Sequence, residues 1–364
     1  MRLLAICYRG LEKNTQKEIR LLTGIESECE EGAVIFETDE VKKAAKICYK
    51  AQSPQRAMIL LDEYELGKED ISGLDLSAFL KKTYVVRCIK TEADIERMEI
   101  EQELGAQIKR KYSVTVDYKH PETTFLAYVF KDKVYFGIDL IGFDLAKRDY
   151  RIQQSSMSLK GPVYFNFLMF AGYNPDKTLL DFFTTDGSIA IEAAAFSTGK
   201  SINFYRKDSF LLRDSFDISL DDLDKDEDIK KKIFCFGDTN ALRKAKNNSK
   251  VAGLNKQINF GTVRPADLDV KFSEGEIDII ASLPLQCSRY SNERKIASFY
   301  DEMFYQAEHI LSKAGAIALI ALNEKTAEMI QESAKRKGFS EIDNIQIKIG
   351  ESRITFLKLK KKQV

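Results

Sequence analysis

The sequence predicts a chain in two parts, an α+β N-terminal half followed by an α/β domain with a mostly parallel sheet. Up to about residue 145 strand patterns crowd together, whereas farther on single apolar strands alternate with helical patterns of roughly 12 to 17 residues. The stretch IQIKIGESRITFLKLKKK has two alternating runs around a turn and predicts a closing antiparallel hairpin. The 364 residues, 44% hydrophobic, suffice for roughly two or three domain cores.

The N-terminal module, residues 1–58, is predicted from two apolar strands and two helical patterns. Its elements are, in order, a strand, a helix closed by Gly24, a strand and a helix, over residues 3–8, 11–22, 33–38 and 41–52. This alternation is typical of a small α+β module.

The second module, residues 59–148, has most of its predicted strands near its end. Strand patterns occupy residues 58–64, 83–90, 114–119, 124–130 and 133–140, and helical patterns occupy residues 76–82 and 95–112. This module is also predicted to be α+β.

Residues 149–364 form the predicted α/β domain. Strand patterns occupy residues 178–182, 232–237, 257–263, 277–283 and 316–322, and helical patterns occupy residues 189–197, 241–253 and 299–315 and a last helix that ends at Gly338. Ligands of such a fold bind at the carboxyl ends of the strands. The acidic segment FDISLDDLDKDEDIKKK predicts a solvated loop. We expect residues 1–150 and 151–364 to be separable folding units.

Composition and charge exclude several classes of protein. The 56 basic and 56 acidic residues cancel, so affinity for nucleic acid must come from local patches. The six cysteines lack the spacing of a zinc site and are interpreted as reduced core residues, and no metal site is predicted. No apolar run reaches the ~20 residues of a membrane span and no signal-peptide pattern opens the chain, so we expect no membrane partner and a cytoplasmic location. His120 and His309 lack a catalytic partner and are interpreted as structural.

Several motifs together resemble one family. GLEKNTQKEIRLL resembles the opening motif of THUMP-domain RNA methyltransferases, and residues 85–151 look like the THUMP domain and its exit strand. The most specific part is GIDLIGFDLAKRDYR, residues 137–151, where Asp149 replaces the usual glycine. The resemblance covers nearly the whole chain. It implies a ferredoxin-like-type module plus a THUMP domain, followed by a Rossmann-like class I methyltransferase fold.

The resemblance also implies an RNA partner. Members of the family transfer a methyl group from S-adenosylmethionine to the exocyclic N2 of a guanine in tRNA or rRNA, and a THUMP domain implies binding to structured RNA. Basic residues interleaved with tyrosines suit this partner, since cations contact phosphates and rings stack on bases. On composition alone, the same residues would be an ordinary solvated surface. The candidate RNA-binding residues are Lys81, Lys82, Arg87, Lys90, Lys119, Arg148 and Arg151.

The stretch TLLDFFTTDGSIAIEAAA resembles the glycine loop that holds the methyl donor in this family. Asp181 and Gly187 match the family pattern, and both are candidate cofactor-binding residues. Phe182, Thr184 and Thr185 instead replace a proline, a cysteine and the first loop glycine. Only a residue without a Cβ lets the backbone approach a ligand closely, so these replacements weaken the motif.

Two further donor contacts depart from the family pattern. Phe236 stands where an acid usually binds the ribose, and Asp238, two residues later, is the candidate substitute. Arg264 stands where a carboxylate usually holds the adenine amine, and an arginine cannot accept a hydrogen bond. Asp267, three residues later, is the candidate substitute there.

The stretch SLPL at residues 282–285 aligns with the family's catalytic motif. In that motif an aspartate or asparagine accepts hydrogen bonds from the amine while an aromatic ring stacks on the flipped base. Here Ser282 replaces the acid or amide, Leu285 replaces the ring and Pro284 is retained, so Ser282 and Pro284 are the candidate catalytic residues of a degenerate motif. Loss of the ring alone forfeits roughly 1–3 kcal/mol.

The departures leave two functions open. The first is a structured-RNA-binding, non-catalytic member that uses the methyltransferase-like fold for recognition or for docking a partner subunit. The second is an active guanine-N2 methyltransferase in which Asp181, Asp238, Asp267 and Ser282 have adapted roles. S-adenosylmethionine is the implied cofactor if the protein is active, and none is needed otherwise. The degenerate motifs favour the first function. A nucleotide-dependent dehydrogenase is disfavoured because no GxGxxG follows a strand.

Overall fold

The computed structural model describes residues 1–225, 227–288, 290–350 and 352–362. Its first half contains β1 (Arg2–Ile6), α1 (Glu12–Thr23), β2 (Ser27–Glu30), β3 (Ala33–Glu37), α2 (Val41–Lys50), β4 (Arg56–Glu65), β5 (Thr83–Thr91), α3 (Arg97–Lys111), β6 (Thr115–Val116), β7 (Thr123–Phe130) and β8 (Lys133–Asp139). Asp226 of the predicted acidic loop and Glu351 of the predicted hairpin turn lie outside the described residues.

The rest of the chain alternates strands and helices up to a closing hairpin. Its elements are α4 (Gly161–Ala171), β9 (Leu179–Asp181), α5 (Ser188–Thr198), α6 (Leu211–Phe216), β10 (Ile233–Phe236), α7 (Thr239–Val251), β11 (Ile258–Gly261), α8 (Leu268–Lys271), β12 (Ile277–Ser282), α9 (Glu293–Ile310), β13 (Leu311–Ala321), α10 (Glu324–Arg336), β14 (Phe339–Ile349) and β15 (Ser352–Lys361). The predicted alternation of strands and helices is thus confirmed.

Contacts divide the chain into two compact units. Unit 1 contains residues 1–7, 15–145 and 205–223, and unit 2 contains residues 8–14, 146–204 and 224–364. Each unit therefore includes a segment that is distant in sequence from its main part.

Unit 1 has one eight-stranded sheet in the order β2-β3-β1-β4-β8-β7-β5-β6. Antiparallel pairing of β1 with β4 makes the sheet continuous between the two predicted modules. The edge strand β2 was not predicted because its SECE sequence is largely exposed and has no apolar pattern. The predicted helix at 76–82 is wrong: turns follow Leu76, and the chain is extended from Thr83.

The segment 205–223 packs into the core of unit 1. Phe210, Leu212 and Leu220 are buried there, and the Leu212 N–H donates to the Leu140 carbonyl at 2.9 Å. The Phe210 ring meets the Tyr49 ring edge-on at 5.5 Å between centroids. The prediction of a solvated loop is therefore wrong for Leu220, whose apolar side chain is buried despite the acidic residues around it.

Unit 2 has a seven-stranded sheet in the order β11-β10-β9-β12-β13-β15-β14. The first five strands are parallel, whereas β15 pairs antiparallel with both β13 and β14, which confirms the predicted hairpin. The predicted Rossmann-like arrangement is thus present. The carboxyl ends of β9, β10, β11 and β12 lie along one edge of the sheet, where the fold class places ligands.

The helix α4 was not predicted. All of its residues are buried, so its sequence GPVYFNFLMFA lacks the polar face from which an amphipathic helix is identified. Pro162 lies in its first turn and Gly172 caps its end in the left-handed conformation, and both are ordinary helix boundary signals.

Candidate active site at the carboxyl edge of the second sheet

Asp181 and Ser282 end the adjacent strands β9 and β12, and both side chains are directed inward. The Ser282 hydroxyl accepts a hydrogen bond from the Phe182 N–H at 2.7 Å and donates to Asp181 Oδ1 at 3.4 Å. Both side chains are buried. The hydroxyl at the candidate catalytic position is therefore used within the protein, and it does not face a substrate amine.

The Asp181 carboxyl is held largely in its neutral form near pH 7. Burial raises its pKa to about 8, with a further upward contribution from Asp186, while the hydroxyls of Thr184 and Ser282 lower it. Its Oδ2 atom has no hydrogen bond of ordinary geometry within the described residues. A neutral, enclosed acid is a poor acceptor for a cofactor ribose or ammonium group.

The loop between β9 and α5 is closed by Thr184. Its backbone N–H donates to the Phe236 carbonyl at 2.9 Å, and its hydroxyl accepts from the Gly187 N–H at 2.9 Å. Gly187 has φ +83°, and a Cβ there would approach Ala245 Cβ at 2.7 Å. Gly187 therefore permits close packing of the loop on α7, while Thr184 ties the loop to the end of β10.

Phe236, at the position of the usual ribose-binding acid, is a core residue. Its ring stacks on the Phe272 ring with centroids 5.6 Å apart and an interplanar angle of 22°. Gly261 makes room for this ring, since a Cβ there would approach Phe236 Cε1 at 2.9 Å. The adjoining strand thus accommodates the aromatic ring.

The two substitute acids predicted from the sequence have structural partners of their own. Asp238 is exposed and caps α7, its Oδ1 accepting from the Ala241 N–H at 2.8 Å. Asp267 forms a two-pronged ion pair with Arg264, with N–O distances of 2.7 and 2.9 Å. The arginine holds the pKa of the Asp267 carboxyl below its usual range. Arg264 therefore engages the carboxylate that the sequence predicts as the adenine contact.

The loop after Ser282 is anchored to the sheet. The Gln286 side chain donates to the carbonyls of Pro284 and Ile320 and accepts from the Leu322 N–H. The Leu285 carbonyl accepts from the Tyr300 hydroxyl at 2.6 Å, and the Leu285 side chain is exposed. An exposed leucine thus lies at the position that the sequence aligns with the base-stacking ring.

Two candidate RNA-binding arginines are buried in ion pairs. Arg148 binds both carboxylate oxygens of Glu192, at 2.9 and 3.1 Å, and the Tyr150 hydroxyl donates to the same group at 2.9 Å. Arg151 pairs with Asp186 at 3.4 Å. Assigning Arg148 and Arg151 to RNA is thus corrected: both are at least nine-tenths buried and cannot reach a phosphate in this conformation.

Four of the other candidate RNA-binding residues are exposed on unit 1. Lys81, Lys82, Arg87 and Lys119 surround β5 and β6, and Arg87 donates to the Tyr118 carbonyl at 2.8 Å. Lys90 is half-buried and its ammonium donates to the Ile95 carbonyl. These four side chains are accessible to a ligand, and their role in RNA binding stays a prediction.

A small cavity remains at the carboxyl edge. Its volume is about 150 Å³, below the roughly 300–1,000 Å³ of typical ligand pockets, and its walls include Thr185, Lys244 and Leu283. Asp238 is the one carboxylate on its wall in the described part of the chain. Asp181 is enclosed and Asp267 is paired, so Asp238 is the one candidate donor-binding acid that lines this cavity.

Sequence reasoning missed the buried partners beneath this edge. Asp186 accepts from the Ser158 hydroxyl at 2.6 Å and pairs with Arg151, and the Asn248 side chain donates to the Asp186 carbonyl. A charged residue in an otherwise apolar helix is the one sequence signal of such a buried pair, and Glu192 within IAIEAAA carries it.

Comparison with known families identifies both parts of the chain. The family described as "RMKL-like, methyltransferase domain" matches residues 148–351, and the THUMP domain matches residues 68–139. These matches confirm the resemblance predicted from the sequence and the assignment of a THUMP domain followed by a methyltransferase fold.

Individual relatives are distant. The protein named "Putative RNA methyltransferase YpsC" from Bacillus subtilis is 23% identical over 390 aligned positions, covering 94% of this chain and 95% of its own. A tRNA (guanine(6)-N2)-methyltransferase from Archaeoglobus fulgidus is 24% identical over 53% of each chain. The solved structure of SMU.472, described as a "putative methyltransferase" in complex with SAH, has a TM-score of 0.79 at 19% identity and covers 100% of this chain and 98% of its own. At this identity the last likeness shows the fold alone.

Proposed function

The chain belongs to the RMKL-like methyltransferase family and carries a THUMP domain, and from that premise we propose that it binds structured RNA and has little or no methyl transfer. The THUMP-bearing half would recognise the RNA, with tRNA as the first candidate. The methyltransferase-like unit would serve recognition instead of chemistry.

The observation that carries this proposal is the use of the Ser282 hydroxyl. Its acceptor lone pair receives the Phe182 N–H and its proton is directed at the buried Asp181. A residue that positions a substrate amine needs an acceptor aimed out of the sheet. The closure of the β9–α5 loop by Thr184 onto Phe236 supports the same proposal, because the donor in this fold class lies between those two segments.

The proposal is tested by measuring donor binding and product formation on the intact chain. We expect no saturable S-adenosylmethionine or S-adenosylhomocysteine binding by calorimetry at physiological donor levels, and no N2-methylguanosine by mass spectrometry of incubated tRNA. Tight donor binding by the unmodified protein, or methylated guanine in its product, would contradict the loss of methyl transfer and leave RNA binding intact.

RNA binding is tested separately on the exposed lysines of unit 1. Phosphate contacts make affinity fall steeply with salt, and Lys82→Glu should weaken tRNA binding regardless of sequence. Lys42→Glu, an exposed lysine of the same unit on α2, is the matched control. An affinity that does not change between two salt concentrations, or equal losses in both variants, would contradict the assignment of this surface.

The alternative is an active guanine-N2 methyltransferase, and one observation favours it. Asp238 is exposed and lines the cavity beside Lys244, so one of its carboxylate oxygens could accept from a ribose while the other caps α7. The name of the Archaeoglobus relative gives the substrate class for this alternative. Asp238→Asn keeps the cap acceptor, so a selective loss of donor affinity in that variant would support the alternative.

A further inference from the structure

A groove lined by lysines lies at the other edge of the sheet in unit 2, where the parallel strands begin. This groove of about 1120 Å³ is formed by the start of β13, the start of β14, the end of β15 and the last residues of α9. Strands rise about 3.3 Å per residue, so the six residues of β12 put this edge roughly 17–20 Å from Ser282. The groove is therefore separate from the candidate active site.

The groove is rich in lysine ammonium groups. Its walls carry Lys313, Lys360, Lys361 and Lys362, against the two acids Glu274 and Glu308. Lys361 pairs with Glu308 at 2.6 Å, whereas no ion pair forms to the other three lysines within the part of the chain that the structure describes. All four lysines are exposed. The groove therefore holds an excess of positive charge that the protein does not neutralise itself.

The backbone beneath these lysines is firmly held. Lys362 N–H donates to the Gly338 carbonyl at 2.9 Å, which extends the pairing of β15 with β14 to its last residues. On the opposite wall, Gly275 N–H donates to the His309 carbonyl at 3.1 Å and the Ser312 hydroxyl donates to Asp278 at 2.9 Å. Fixed backbone reduces the ordering that a bound ligand would require, so the lysines are presented in place.

Protection of a sheet edge does not account for the lysines. Lysine often blocks pairing along an exposed edge strand, but the edge strand here is β14, and its exposed central residues are Ile342, Asp343 and Asn344. Lys360 lies on β15, which stands between β13 and β14 in the order of the sheet, and Lys362 directly follows that strand. The charges are concentrated at the concave strand ends, as expected for a ligand surface.

We propose that this lysine groove contacts the phosphodiester backbone of the same RNA that the THUMP-bearing half recognises. The inference rests on the proposed RNA-binding function. An ammonium is a compact point charge that contacts phosphate without a strict geometry, so the contacts would add affinity without reading sequence. The groove has a volume of about 1120 Å³ and its lysines are exposed, which suits a phosphate chain better than a small enclosed ligand.

The test compares two triple variants of the intact chain. Lys313→Gln, Lys360→Gln and Lys362→Gln together remove the unpaired groove charges, and Lys295→Gln, Lys335→Gln and Lys348→Gln remove three exposed lysines of unit 2 on α9, α10 and β14. Binding to tRNA is measured by gel shift at several salt concentrations. We expect the groove variant to bind about 10- to 100-fold more weakly at low salt, with a salt slope smaller by about 2 to 3, because each phosphate contact adds nearly one unit.

Each outcome separates this inference from the proposed function. If the unmodified protein binds no RNA, the proposed function fails and the groove proposal fails with it. If the unmodified protein binds tRNA and the groove variant has the same affinity and salt slope, or loses no more than the control triple, only the groove proposal is overturned. Loss of binding to anionic phospholipid vesicles with unchanged tRNA binding would also overturn it. Unchanged circular dichroism of both variants excludes unfolding as the cause.

Discussion

Polar side chains have opposite environments at the two edges of the sheet in unit 2, the carboxyl edge where the parallel strands end and the amino edge where they begin. At the carboxyl edge, Asp181, Ser282 and Arg148 are buried and bound to other groups of the protein. At the amino edge, Lys313, Lys360 and Lys362 are exposed and form no ion pair in the described residues. The edge that the fold class assigns to ligands is thus mostly enclosed, although Asp181 Oδ2 lacks a hydrogen-bond partner among the described residues, and the edge without an assigned role is open.

The contrast between the edges shows that a position in a motif does not by itself give a residue a function. A polar group acts on a ligand when it keeps an unsatisfied donor, acceptor or charge that faces solvent, and it acts on stability when burial and internal partners use that capacity. Substitutions at the carboxyl edge should therefore change the free energy of unfolding, whereas substitutions at the amino edge should change binding.

The largest expected effect is the loss of a buried partner at the carboxyl edge. Arg148→Ala leaves the buried Glu192 carboxylate without its two-pronged partner, and breaking such a pair typically destabilises by about 3–5 kcal/mol. The free energy of unfolding in urea measures this cost. Lys360→Ala at the amino edge is the control and should change the free energy of unfolding by less than about 0.5 kcal/mol. Equal changes in the free energy of unfolding in the two variants would contradict this difference between the edges.

The next effect is a pH dependence that only the carboxyl edge provides. The folded pKa of Asp181 is raised to about 8, whereas an unfolded aspartate titrates near 3.9. The folded state therefore binds this proton more tightly, so its stabilising contribution is complete below about pH 4 and is lost as pH rises towards 8. From pH 6 to 8 the loss amounts to about 2 kcal/mol at roughly 1.4 kcal/mol per pKa unit.

The Asp181→Asn substitution removes this titration, and asparagine is close to aspartate in size. Urea unfolding at pH 6 and pH 8 should show a fall in stability for the unmodified protein that is about 2 kcal/mol larger than for the variant. Replacement of the exposed Asp238 by Asn should leave the pH dependence unchanged. A parallel pH profile in the unmodified protein and Asp181→Asn would show that Asp181 is ionised in the folded state.

Sequence patterns predicted the fold where polar and apolar residues alternate visibly. The α/β order of unit 2 and its closing hairpin could be predicted in this way, since most of its strands are apolar and most of its helices have a polar face. α4, buried on all sides, and β2, mostly exposed, lack that contrast and were missed. Leu220 reaches the core of unit 1, but the sequence did not indicate this because acidic residues surround it in the 205–223 segment.

The sequence predicted where the candidate site lies in the fold, but it did not predict the direction in which the side chains of the site point. The sequence predicted Asp181 and Ser282 at the ends of two strands, and the structure shows that these strands are neighbours. Their direction depends on partners distant in sequence, such as the Phe182 N–H one hundred residues from Ser282. The same limitation explains Arg148 and Arg151, whose long side chains look like phosphate ligands until Glu192 and Asp186 are brought beside them.

A smaller effect is expected at the candidate catalytic position itself. Ser282→Ala removes the acceptor of the buried Phe182 N–H, and leaving such a group unsatisfied costs about 1–3 kcal/mol. Ser352→Ala, an exposed serine on β15, is the matched control and should be nearly neutral. Urea unfolding compares the two. If Ser282→Ala were as neutral as the control, Ser282 would be free to face a substrate and the carboxyl edge would resemble the amino edge.

The smallest effect is expected for Arg264, which lies at the carboxyl edge but is exposed like the lysines of the amino edge. Its ion pair with Asp267 lowers the pKa of that carboxyl, and both side chains reach solvent, so the pair should contribute nothing measurable to the urea midpoint. Arg264→Ala should therefore leave the midpoint unchanged while the Asp267 pKa rises towards its ordinary value, as followed by carboxyl-carbon NMR titration. High salt should raise the same pKa in the unmodified protein. A shifted midpoint would mean that exposure does not separate binding groups from structural ones at this edge.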